Sequence, residues 1–136
     1  MESTIGYYRP MPLNLAFGWV WILVGFVTGF LMGLKFHHDD WLGGYGSFQR
    51  RMIRLGHISF FGLGIVNILF ALSASHIALG SGALALASWS LIAGGVTMPT
   101  CCGLMAWRRV FYWGFGIPVT CLVVGGTLTV VGILGR

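Results

Sequence analysis

The chain has 136 residues, 57% hydrophobic and 8% charged, with a formal net charge of +5 and a mean hydropathy of +0.86. A soluble domain carries about a quarter charged residues because water must solvate its surface, so this composition excludes a soluble enzyme and points to a chain embedded in lipid. Nor does the positive charge point to nucleic acid: the basic residues stand at the edges of apolar runs, where topology and anionic headgroups account for them.

A helix needs roughly 20 apolar residues to cross the hydrocarbon core, and four runs reach that length. The opening MESTIGYYRPMPLN lacks the basic n-region of a signal peptide, so the first run is expected to be a retained span. It covers residues 13–34, entered through Pro10 and Pro12 and closed by Lys35 and the polar stretch His37 to Asp40. The second covers residues 52–73, behind Arg50 and Arg51, and the third residues 82–107. Arg108 and Arg109 separate it from the fourth, residues 110–134. The connections are short, which makes consecutive helices antiparallel neighbours. The fold class expected is therefore all-α: a single transmembrane domain over residues 1–136, with four helices in an up-down antiparallel bundle.

Lysine and arginine accumulate in cytoplasmic connections. Lys35, Arg50, Arg51, Arg54, Arg108 and Arg109 flank the two odd-numbered connections, whereas Arg9 and Arg136 stand alone on the other side. This bias predicts a multi-pass protein of a bacterial inner membrane with both termini outside. Trp19, Trp41, Trp107, Trp113, Tyr7, Tyr8, Tyr45 and Tyr112 fall near span ends, where amphipathic rings anchor.

Lipid tails are as apolar as leucine, so close backbone contact must help to join the helices. Gly25, Gly29 and Gly33 form a double GxxxG on the first helix, and Gly125 with Thr129 forms a small-xxx-small pair on the fourth. These residues serve contacts inside the bundle, or, for the first-helix stripe, contact with another subunit.

His57 is the most informative single residue. A 3.6-residue period puts it on one face of the second helix with Phe61, Gly64, Asn67 and Ala71. Polar groups are costly in lipid, so this face should point into protein. His57 is read either as an interhelical hydrogen-bond partner or as an axial ligand to haem or (bacterio)chlorophyll. His76, roughly 28 Å further along at 1.5 Å per residue, belongs to the opposite surface and supplies no second ligand. His37 and His38, beside Asp39 and Asp40, are candidate metal ligands, and His57 with Cys101 and Cys102 is expected towards the same surface. Pro99 removes a backbone donor and disrupts the bond to the Gly95 carbonyl, predicting a kink in the third helix; Pro118 predicts one in the fourth.

The carboxylates Glu2, Asp39 and Asp40 all lie outside the spans, which argues against a proton-coupled pump. No P-loop, serine–histidine–acid set or HExxH is present, so the chain alone is not expected to be an enzyme. The function expected is that of a structural or accessory subunit of a larger membrane complex, respiratory or photosynthetic, whose partners are the lipid bilayer and other membrane subunits. The alternatives are a haem- or pigment-binding electron carrier built on His57 and a small oligomeric channel or transporter built on the Gly94 to Pro99 break.

Overall fold

Four helices carry the structure, a computed structural model that describes residues 11–135; Glu2, Tyr7, Tyr8, Arg9, Pro10 and Arg136 lie outside the described residues. Helix α1 spans Pro12–Gly33, α2 Phe48–Ser73, α3 Ser81–Trp107 and α4 Gly116–Leu134. Short 3-10 turns occupy Trp41–Gly43, Ala74–His76 and Arg109–Phe115, and there is no strand among the described residues. All four helices, α2 and α4 together with their adjoining turns, are long and apolar enough to cross a membrane. The 22 residues of α1 extend about 33 Å at 1.5 Å per residue, enough for a hydrocarbon core of roughly 30 Å. The chain is a multi-pass membrane protein.

Helix ends follow local chemistry more than hydropathy. Pro12 opens α1, where its missing N–H costs no helical bond. Ser47 caps α2, its hydroxyl accepting the Arg50 N–H at 3.1 Å, so the helix starts ahead of the apolar run and takes Arg50 and Arg51 into its first turn. Pro118 lies in the first turn of α4, again a place that needs no proline donor. The interruption expected in the fourth span is instead a change of helix type, from 3-10 over Arg109–Phe115 to α from Gly116.

The helices pack in sequence order: α1 on α2, α2 on α3 and α3 on α4, while α1 and α4 share no substantial contact. Neighbours run antiparallel. Gly18, Gly25 and Gly29 of α1 meet Gly64, Phe61 and His57 of α2 in descending order, and Gly94 and Gly125 pair with Leu122 and Leu91 across α3 and α4. The result is an open row rather than a closed ring. A small core of Phe70, Ile77, Ala87 and Leu91 sits where the α2–α3 connection folds onto α4. There Ala78 donates its N–H to the Gly132 carbonyl at 2.8 Å, and Ile77 and Leu79 cover the bare backbone of Gly132. Large apolar side chains such as Phe26, Phe30 and Trp89 stand exposed on the outside, as befits a surface solvated by hydrocarbon.

Antiparallel order collects Lys35, Arg50, Arg51, Arg54, Arg108 and Arg109 at one end, here the basic end. The Arg109 guanidinium lies 4.5 Å from the centre of the Phe48 ring, joining the two connections there.

Candidate functional site

The interior polar groups form two clusters at different depths. The first lies near the start of α1, where Asn14, Asn67 and Ser88 from three successive helices are essentially fully buried. The Asn14 amide donates to Asn67 Oδ1 at 2.8 Å and to the Ser88 carbonyl at 3.3 Å. Ser88 Oγ donates back to Asn14 Oδ1 at 2.5 Å. The Asn67 amide donates to the carbonyls of Leu63 at 2.9 Å and Leu91 at 3.3 Å. With few donors left over, this cluster is a polar lock.

The second cluster surrounds His57. Thr28 Oγ1 lies 2.8 Å from the Val24 carbonyl and 3.1 Å from His57 Nδ1. A threonine hydroxyl in a helix bonds back to the carbonyl four residues earlier, and its one proton then goes to Val24. With the hydroxyl proton on Val24, the Nδ1–H tautomer of His57 donates to Thr28 and leaves Nε2 with its lone pair; with the hydroxyl turned to Nδ1, the proton sits on Nε2 instead. The ring edge lies over Gly29, where an added Cβ would come within 2.8 Å of Cε1, and Phe61 stands edge-on to it at 5.4 Å. Beside His57, α1 and α3 part to leave a cavity of about 260 Å³ with Thr28, Met32, Ile53, Phe60 and Pro99 in its wall. Pockets for small ligands start near 300 Å³, so this cavity does not enclose a tetrapyrrole. His57 thus stands against Gly29 of α1 at the wall of a lateral, apolar opening.

Between the clusters, α3 runs unbroken through Pro99. The Gly95 carbonyl, which a residue bearing an N–H at position 99 would bond, instead accepts the Trp21 indole N–H at 2.9 Å. Trp21→Phe is expected to destabilise the fold by about 1–2 kcal/mol. In a Pro99→Ala background, whose restored N–H bonds Gly95, the cost should fall to under about half of that; equal costs in both backgrounds, measured by unfolding in mixed micelles, would refute the capping role.

The remaining sequence candidates separate. His37 and His38 lie side by side, ring centres 4.1 Å apart and planes tilted by 40°, on the exposed connection after α1. No group of three or more histidine, cysteine or acidic side chains comes together to hold a metal among the described residues, so His57, Cys101, Cys102 and the His37–Asp40 stretch do not converge. Cys101 contacts the Gly114 carbonyl through its sulfur at 3.4 Å, and Cys102 packs against Gly56. Gly25 and Gly29 receive the rings of Phe61 and His57, but Gly33 has open space where a Cβ would sit; the α1 stripe ends at Gly29 and extends back to Gly18. Gly125 packs on Leu91, and Thr129 bonds the Gly125 carbonyl within α4 at 2.7 Å. Sequence reasoning passed over Asn14 and Trp21. An asparagine just inside an apolar run was the available signal for the first; the second had none, since its acceptor lies on another helix.

Compared with known proteins, the chain matches no family, no curated protein and no solved structure.

Proposed function

We propose that this chain is a structural or accessory subunit of a larger membrane assembly, oriented with its basic end in the cytoplasm and both termini outside, in a bacterial inner membrane. The observation that carries the reading is a set of bare helix positions facing outward. Gly62 of α2, Gly103 of α3 and Gly126 of α4 all have open space where a side chain would begin. Glycine inside a helix costs about 1 kcal/mol against alanine, a cost offset when another helix packs closely on the exposed backbone. Gly126 lies in a lateral groove with Thr129 and with Val66 and Ser73 of α2, a shape suited to a helix from a neighbouring subunit. In the first-helix stripe Gly25 and Gly29 are covered by α2, which leaves Gly33 open.

A redox assembly is the second element of the proposal, and it rests on His57. In the tautomer that donates from Nδ1 to Thr28, the ring keeps the Nε2 lone pair of an axial ligand, and a haem or chlorophyll shared with a partner subunit needs no room inside this chain. Two experiments test these readings apart. Mild-detergent isolation should recover the chain with other membrane subunits, and Gly126→Leu should release them while leaving the isolated chain folded; recovery solely as a free monomer defeats the subunit reading. An absorption spectrum of the intact assembly should lose a tetrapyrrole band in His57→Ala, and an unchanged spectrum removes the pigment role alone.

A further inference from the structure

At the basic end, the connection between α1 and α2 wraps around one arginine. Leu42 adopts a left-handed backbone (φ 55°) and Gly43 and Gly44 follow with φ of 81° and 90°, a turn that leucine enters only when the surroundings hold it there. Ser47 Oγ does so by donating to the Leu42 carbonyl at 2.6 Å. The turn brings Phe36, Trp41 and Tyr45 around the Arg50 guanidinium, with ring centres 5.3, 5.4 and 5.4 Å from its carbon. Arg50 is only 4% exposed, and its Nε has no hydrogen-bond partner among the described residues. Aromatic faces attract a cation but accept no directed N–H bond of ordinary strength, so the guanidinium is held in position with donor capacity unused.

Arg54 lies one turn on along the same face of α2. Its guanidinium sits 4.4 Å from the Tyr45 ring and donates to the Tyr45 carbonyl at 3.3 Å. Both arginines line a cavity of about 650 Å³ with Phe36, Tyr45 and Asp39. Two guanidinia face one carboxylate there, leaving an excess of one positive charge, and like charges four residues apart on a helix repel. The cavity also opens beside the N-terminus of α2, whose dipole favours an anion. Guanidinium forks match the oxygens of phosphate in spacing and charge. The site lies level with the end of α1 and the start of α2, two helices long enough to span a membrane, so the ends of the spans and the headgroups meet there, and Ile53, in the turn beyond Arg50, lines the apolar cavity beside His57.

We infer that the Arg50–Arg54 cavity binds a phosphate group, either that of a phospholipid headgroup or a free phosphate ion. The full chain, delipidated in a neutral detergent, is titrated by calorimetry with dihexanoylphosphatidylglycerol, with dihexanoylglycerol and with inorganic phosphate. Saturable binding of the phospholipid but not of dihexanoylglycerol or phosphate assigns a lipid headgroup; inorganic phosphate binding as tightly as the phospholipid assigns the free ion. Arg50→Gln and Arg54→Gln should each weaken binding about tenfold, the worth of a charge-assisted bond. Arg51→Gln removes the same charge from an exposed neighbour outside the cavity and should change affinity less than about twofold. Asp39→Asn should tighten binding, because it removes the carboxylate that shares the cavity. Should Arg50→Gln fail to fold, Arg54→Gln and Asp39→Asn carry the test. Absence of saturable binding by any phosphate compound, equal binding of dihexanoylglycerol, or an Arg51→Gln loss as large as that of Arg54→Gln overturns the proposal.

Discussion

Gly18→Val is expected to destabilise the fold by about 3 kcal/mol, the upper part of the usual range for overpacking. A Cβ at Gly18 would stand 2.5 Å from the Gly64 carbonyl oxygen and 2.5 Å from Ile68 Cγ1, and one at Gly64 would stand 2.9 Å from the Gly18 carbonyl oxygen. Two backbones meet here without side chains between them. The Ile68 side chain could turn aside, but the Gly64 carbonyl belongs to a helix and moves only if α1 and α2 separate. Gly62→Val, half a turn away and facing open space, supplies the matched control and should shift stability by less than about 0.5 kcal/mol. Unfolding in mixed micelles, followed by tryptophan fluorescence, measures both. Similar losses at the two positions would mean that the close crossing does not set the cost.

The second large effect concerns the buried amides. Asn67→Ala removes the acceptor of the Asn14 amide and the donor to two carbonyls, and it opens a space where α1, α2 and α3 meet. A stranded buried polar group costs about 1–3 kcal/mol, although in membranes single interhelical bonds average nearer 0.6 kcal/mol. Because several bonds share this residue, a total near 2–3 kcal/mol is expected. Asn14→Ala should cost a similar amount. The double variant should cost less than the sum of the two by about 1 kcal/mol, as contacting residues in one network do. Strict additivity would show that the two amides do not depend on each other.

These two sites also show what was legible in the sequence. The existence and approximate limits of the spans follow from run length alone, since lipid demands it. The bonding partners of the polar residues do not. Gly25 and Gly29 show a spacing of four, whereas Gly18 stands seven residues before Gly25 and lies outside that pattern, so the close backbone crossing at Gly18 and Gly64 carries no motif. Asn14 stands just inside the first run, and its full burial against Asn67 and Ser88 depends on how three helices pack. Pro99 announced an orphaned carbonyl, but which helix would supply the missing donor depends on tertiary packing. Arg50 read as a marker of sidedness. Its burial arises from a left-handed turn at Leu42, a conformation that no local rule assigns to leucine.

The Asn14–Asn67 pair bears on how such a chain enters the bilayer during synthesis. Both amides belong to α1 and α2, so the bond between them needs no part of α3 and this hairpin is able to form it on leaving the insertion machinery. Ser88 arrives later with α3 and adds its hydroxyl to a junction that has formed, which makes the order of emergence from the ribosome the order in which the polar lock closes.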